Sequence, residues 1–249
     1  MFKIGKRIIS YSNKPYIIAE ACINHEGNIN IAKEMVKLAA KAGASAIKFQ
    51  MHHLDDEMLR DTPKSKNFKE SLYDTLNRTN LNLKHHIYLK KFCKKNNIDY
   101  LCTPFSRKSA DILFKDVKVN VFKVGSGELT NLPLQIHIAK KKLPTIISTG
   151  MSTLKEVEET YKNVIKINKK ISLTQCTSIY PCPSEFSDIG VITQYIKKFK
   201  VPIGLSDHTN NIYTSLGAVA LGARIIEKHF TLNKKAVGPD HASSIEPNE

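Results

Sequence analysis

Eight short apolar runs alternate with helical patterns along most of the chain, and this alternation limits the fold more than any other feature. The runs lie at 16–22 (YIIAEAC), 46–50 (AIKFQ), 100–105 (YLCTPF), 121–125 (VFKVG), 145–149 (TIIST), 171–176, 202–205 and 224–227. The last two continue to His208 and His229. Helices are predicted at 29–42 (closed by Gly43), 82–97, 107–114, 132–141, 153–167, 188–199 and 212–223, where apolar residues recur at helical spacing. Continuous apolar runs of strand length suit strands buried on both faces. Strict strand–helix alternation implies a parallel sheet, because parallel strands need a crossover connection. Eight such units in 249 residues imply a (β/α)8 TIM barrel of the α/β class rather than a doubly wound sheet. No GxGxxG fingerprint follows the first run, which also argues against a dinucleotide fold.

Residues 1–15 read as a β-hairpin, leaving 16–249 as the catalytic barrel. The polar stretch 51–80 is longer than an ordinary connection and marks a functional loop. After Phe230 the chain runs TLNKKAVGPDHASSIEPNE with no eighth helical pattern. The expectation is a barrel truncated on its C-terminal side, with a large apolar groove open between its last strand and its first.

Composition narrows the function. No apolar run is long enough for a transmembrane helix, and the N-terminal MFKIGKRIIS lacks a signal-peptide core. Five cysteines without CxxC spacing suggest reduced thiols, so a cytoplasmic protein without a membrane partner is expected, with Cys22 and Cys176 as packing residues. The net charge of +15 raises the question of nucleic acid. The lysines are spread over helix faces with few aromatics among them, so nucleic acid is not an expected partner.

A barrel places its active site at the C-terminal ends of the strands. There the sequence sets Glu20, Lys48, Gln50, Thr103, Lys123, Ser126, Glu128, Ser148, Ser178, Tyr180, Ser206, His208, Glu227 and His229, with Asp240 just beyond. His208 and His229 end consecutive parallel strands, so two imidazoles converge on one rim as candidate ligands for a divalent metal. Lys48 and Lys123 lie inside apolar strands, where an ammonium is costly unless it meets an anion. Two readings of them stand: a site for phosphate or carboxylate built with the neighbouring hydroxyls, or pairing with Glu20 or Glu227. The residues alone point to an enzyme that binds an anionic substrate and activates an electrophile with a metal.

The segments IIAEACINHEGN, AIKFQMHHLDDEM, TPFSR, FKVGSGE, STGMS, CTSIYPCP, GLSDHT, EKHFT and GPDH, in this order, resemble the N-acetylneuraminate (sialic acid) synthase family of phosphoenolpyruvate-condensing nonulosonate synthases. The resemblance implies a transferase that joins phosphoenolpyruvate to the open-chain aldehyde of N-acetylmannosamine, with water, releasing phosphate. It implies Mn2+ or Mg2+ on His208 and His229, and phosphoenolpyruvate on Lys48, Thr103, Lys123, Ser126, Ser148, Ser178 and Ser206. The sugar falls to Gln50, Glu128, Tyr180 and Asp240, and catalysis to Glu20, Lys48 and Lys123, with Glu20 handling protons. Serine at 178, where sialic acid synthases commonly carry asparagine, occurs in relatives making legionaminate or pseudaminate from a diacetamido hexose. Phe49, Met51 and His53 depart from the usual HQTH pattern. The family also carries an antifreeze-like C-terminal domain, which in its homodimers reaches the partner's site. No counterpart is expected within these residues, so a truncated binding fragment is the remaining alternative.

Overall fold

In the computed structural model, which describes residues 1–61, 64 and 70–249, eight parallel strands form a nearly closed barrel with helices outside it. The strands are β3 (Tyr16–Glu20), β4 (Ala46–Met51), β5 (Asp99–Pro104), β6 (Phe122–Val124), β7 (Thr145–Ser148), β8 (Ile171–Cys176), β9 (Ile203–Asp207) and β10 (Ile225–His229). Hydrogen bonds link them in the order β5-β4-β3-β10-β9-β8-β7-β6, with β5 and β6 side by side at the remaining seam. The antiparallel pair β1 (Phe2–Ile4) and β2 (Arg7–Ile9) forms the expected hairpin.

The helices are α1 (Ile29–Lys41), α2 (Leu72–Thr79), α3 (Leu83–Lys95), α4 (Arg107–Ile112), α5 (Leu132–Ala139), α6 (Leu154–Ile167), α7 (Val191–Lys198) and α8 (Tyr213–Ala220). Their starts are chemically marked. Asn28, Asn82 and Asn131 accept first-turn backbone N–H groups of α1, α3 and α5, and Thr153 with Glu156 closes a capping box on α6. The predicted loop at 51–80 contains α2 and a short 3-10 turn, Leu54–Asp56; residues 62, 63 and 65–69 lie outside the described residues. Two of the three buried residues of α2 are threonines, Thr75 and Thr79, so the stretch lacks the apolar period that betrays a helix.

Strand alternation sorts the side chains into two cores. Outward residues such as Ile47, Phe49, Phe122, Ile147, Leu173, Leu205 and Ile226 join the main cluster with the helices. Inward residues Ile18, Ala46, Leu101, Val121, Ile146 and Ile225 form a second cluster with Phe2, Ile4 and Ile9 of the hairpin, which fills the lower end of the barrel. Gly204 keeps β9 close to β10, since a Cβ there would sit 2.4 Å from Ile225 O.

At the seam where an open groove is expected, between β10 and β3, Ala19 and Ile226 are buried and Ile17 is 38% exposed. Past β10 the chain turns back over the rim. Phe230 bridges to Ile245, Thr231 N donates to Ile245 O, and Asn24 Nδ2 donates to Phe230 O and Ser244 Oγ. This return sets Asp240 above the barrel mouth.

Candidate active site

Two residues above the lower apolar layer, the same strands carry polar side chains into the interior. Ile18 is followed by Glu20, Ala46 by Lys48, Leu101 by Thr103, Val121 by Lys123, Ile146 by Ser148 and Ile225 by Glu227. These six are all buried, Lys48 at 5% and Lys123 at 2% exposure. They form one connected network. Lys48 Nζ contacts Glu20 Oε2, lies 3.5 Å from Glu227 Oε2 and donates to Thr103 Oγ1 at 3.2 Å. Lys123 Nζ is 3.2 Å from Glu227 Oε1 and donates to Ser148 Oγ at 2.6 Å. Ser206 Oγ donates to Glu227 Oε1 at 2.7 Å, and Ser148 Oγ lies 2.8 Å from Thr174 Oγ1 and 3.2 Å from Ser206 Oγ. Both readings of the lysines therefore meet in one place: each is paired with a carboxylate, and both are surrounded by hydroxyl groups.

The two carboxyls diverge electrostatically. Burial pushes Glu20 up to about 7; Lys48 resists the rise and the nearby Glu227 charge adds to it. Glu227 feels the same burial, but Lys123 and Lys48 together hold it below the usual carboxylate range. Burial opposes the Lys48 charge, yet Glu20 and Glu227 outweigh it and raise the ammonium's pKa. Lys123 is lowered by burial, with Glu227 offsetting part of the loss. Adjacent carboxyls driven apart in this way are a mark of acid–base machinery.

Ser126 and Ser178 meet around Gly150, after β7. Gly150 N donates to Ser126 Oγ at 3.1 Å, and Ser178 Oγ lies 3.9 Å from Cys176 Sγ. A Cβ on Gly150 would stand 2.4 Å from Ser178 Oγ and 2.7 Å from Ser126 Oγ, so only glycine lets these hydroxyls converge.

At the rim, the rings of His208 and His229 lie 5.4 Å apart. Tyr180 packs against both, at 4.0 and 5.5 Å. His208 Nδ1–H donates to Thr177 O at 2.7 Å, which fixes the tautomer and leaves Nε2 with its lone pair. Buried His229 Nδ1 has no hydrogen-bond partner. Burial pushes both imidazoles below their ordinary range, His229 further because His208 and Lys48 lie near it. Neutral imidazoles with free nitrogens are the form that binds metal, so the predicted pair fits a divalent ion.

The sequence expectation treats Cys22 as packing, and its side chain does join Ile23, Leu54 and Leu76. Its sulfur also faces the site: Gln50 Nε2 donates to Cys22 Sγ at 3.0 Å, and Cys22, His229 and Asp240 offer ligand atoms within 4.8 Å of one another. Gln50 Oε1 in turn accepts from His52 Nε2 at 3.0 Å, and His52 pairs with Glu57 at 2.8 Å. Glu128 stands apart from this group, with its carboxylate accepting from Asn131 Nδ2 at 2.7 Å at the start of α5. Thr174 and Gly150 are absent from the sequence-derived site, although inward alternation in β8 and the STGMS segment respectively point to them. Asp207, next to His208, faces outward and holds Lys228 at 3.1 Å.

Residues 35–249 match the family model described as the NeuB family. Over 245 residues the chain is 41% identical to the N,N'-diacetyllegionaminic acid synthase of Campylobacter jejuni, covering 95% of this chain and 73% of that protein. It is 36% identical over 241 residues to the N-acetylneuraminate-9-phosphate synthase of Mus musculus, covering 94% of this chain and 67% of that protein. The crystal structure of an N-acetylneuraminic acid (sialic acid) synthetase from Leptospira borgpetersenii, in complex with citrate, matches at TM-score 0.88 and 33% identity. That match covers 100% of this chain and 84% of the other. Among the described residues no helix is long and apolar enough to cross a membrane. By model match, relatives and barrel alike, the chain belongs to the NeuB family.

Proposed function

We propose that this chain condenses phosphoenolpyruvate with the open-chain aldehyde of an N-acylated hexosamine, adding water and releasing phosphate, to give a nonulosonic acid. The observation that carries the reading is the pair of buried lysines bridged by Glu227 and ringed by Thr103, Ser148 and Ser206. Two ammonium groups beside Glu227, which they hold ionised, suit a small anion. Lys48, Lys123 and these hydroxyls hold the phosphate and carboxylate of phosphoenolpyruvate, with Ser126 and Ser178 beside them. Gln50, Tyr180 and Asp240 face the sugar, and Glu128 is the outermost of the four sugar residues.

C3 of phosphoenolpyruvate attacks the aldehyde carbon, positive charge develops at C2, water adds there, and the tetrahedral intermediate loses phosphate by C–O cleavage. Glu20, poised near neutrality, takes the proton of the attacking water. The lysines stabilise charge on the phosphate throughout. His208 and His229 would hold a Mn2+ or Mg2+ ion, which supplies Lewis acidity toward a carbonyl oxygen.

N-acetylmannosamine is the first candidate sugar. A diacetamido hexose is the second, favoured by Ser178 and by the 41% identity to a legionaminic acid synthase. Phosphate release from phosphoenolpyruvate, measured with each sugar and Mn2+, is the test. Release with one sugar and not the other identifies the acceptor. Stabilisation by phosphoenolpyruvate without phosphate release from any N-acylated hexosamine would replace the enzyme reading with that of a binding fragment.

A further inference from the structure

Cys22 sits two residues beyond Glu20 with a φ of +45°, in the left-handed region that favours glycine. Three different donor types converge here: the thiol, a ring nitrogen of His229 and a carboxylate oxygen of Asp240, all within 4.8 Å. His229 Nδ1 is buried with no hydrogen-bond partner, which points to a ligand missing from the protein's own groups. The sulfur is held by Gln50 Nε2, and Asp240 is held by the returning tail, where Ser243 and Ser244 hydroxyls donate to its backbone oxygen. His208, 5.4 Å from His229 between ring centres, keeps Nε2 free through its bond to Thr177.

We propose that Cys22 and Asp240 are ligands of the divalent ion alongside His229, with His208 as the second nitrogen donor. This makes the centre a mixed sulfur, nitrogen and oxygen site, where the resemblance implies two histidines only. The inference rests on the metal-dependent reading given above and deepens it, and it moves Asp240 from the sugar to the ion. On binding, the Cys22 thiol loses its proton to solvent as the sulfur–metal bond forms, with no change in oxidation state. A thiolate donor shifts preference toward Co2+ and Zn2+ and away from Mg2+.

The test is a titration of the metal-free 249-residue protein with Co2+ alone, followed by absorption. The expected result is a sulfur-to-cobalt charge-transfer band in the near ultraviolet together with the visible cobalt bands. Cys22→Gly suits the +45° backbone and so keeps the fold; it loses the near-ultraviolet band and binds Co2+ on the order of 10- to 100-fold more weakly. Asp240→Asn keeps the band and binds more weakly by a similar factor. A wild-type cobalt complex without the thiolate band, or an unchanged affinity in Cys22→Gly, overturns the proposal. Because no substrate is present, a thiolate band in a protein that releases no phosphate leaves the ligand set standing and removes the synthase reading instead.

Discussion

The barrel interior contains two layers on the same strands, separated by one strand repeat, and they have opposite chemistry. The lower layer, Ile18, Ala46, Leu101, Val121, Ile146 and Ile225, is wholly apolar and plugged by the hairpin residues Phe2, Ile4 and Ile9. The upper layer, Glu20, Lys48, Thr103, Lys123, Ser148 and Glu227, holds two lysines and two carboxylates out of water. Apolar burial stabilises at about 25 cal/mol per Å2, whereas buried ion pairs roughly break even or cost free energy. The lower layer is thus what a barrel needs to fold, and the upper layer is what it carries to bind and react. The contrast teaches that the charged ring is held in place by the layer beneath it and by its own pairing, not by any gain from being buried.

Lys123→Ala tests the ring most severely. It leaves Glu227 buried with only Lys48, at 3.5 Å, and the Ser206 hydroxyl as partners. Breaking one side of a buried pair costs about 3 to 5 kcal/mol, read by denaturant unfolding. Phosphate release per folded molecule should fall roughly 100- to 1000-fold. An unchanged rate per folded molecule would make the ring a scaffold and end the division of labour. Leu101→Ala is the matching change one layer down. Leu101 is fully buried, and its truncation should cost about 3 kcal/mol while leaving KM and kcat of the folded fraction near wild type. A comparable loss of kcat would show that the layers are not separable.

The division between layers is readable in the sequence because strand alternation has a period of two. Lys48 in AIKFQ and Lys123 in VFKVG announce the upper layer by being wrong for a buried strand, and Ala46 and Val121 announce the lower one. The hairpin and all eight barrel strands follow from the same local patterns. What the patterns miss depends on contacts far apart in sequence or on backbone angle. Helix α2 buries Thr75 and Thr79, so its inner face looks polar. Cys22 packs against Ile23, Leu54 and Leu76 as read, but nothing near it in sequence reveals its +45° φ or the tail that brings Asp240 within reach of its sulfur. Gly150 is needed only because Ser126 and Ser178 arrive from two other loops. The path of the tail past β10, which returns Ile245 to Phe230 over the rim, has no local signature.

Glu20→Gln gives the smallest expected effect on stability and the sharpest separation, since it parts stability from activity within the ring. Burial raises the Glu20 carboxyl from 4.5 to about 7, so folding favours its protonated form. A carboxyl raised in this way contributes its full stability below the unfolded pKa of 4.5 and loses it as pH climbs through about 7. Wild type should therefore lose about 2 kcal/mol between about pH 5.5 and about pH 8 through this one group. The glutamine cannot titrate, so that part of the fall disappears, and at the upper pH the variant melts higher than wild type. If Glu20 takes the proton of the attacking water, the more stable variant is also the one with little phosphate release, and what remains no longer rises with pH through about 7. Parallel melting curves of wild type and Glu20→Gln across the pH range would mean that Lys48 holds Glu20 ionised throughout, and would take the proton-transfer role from it.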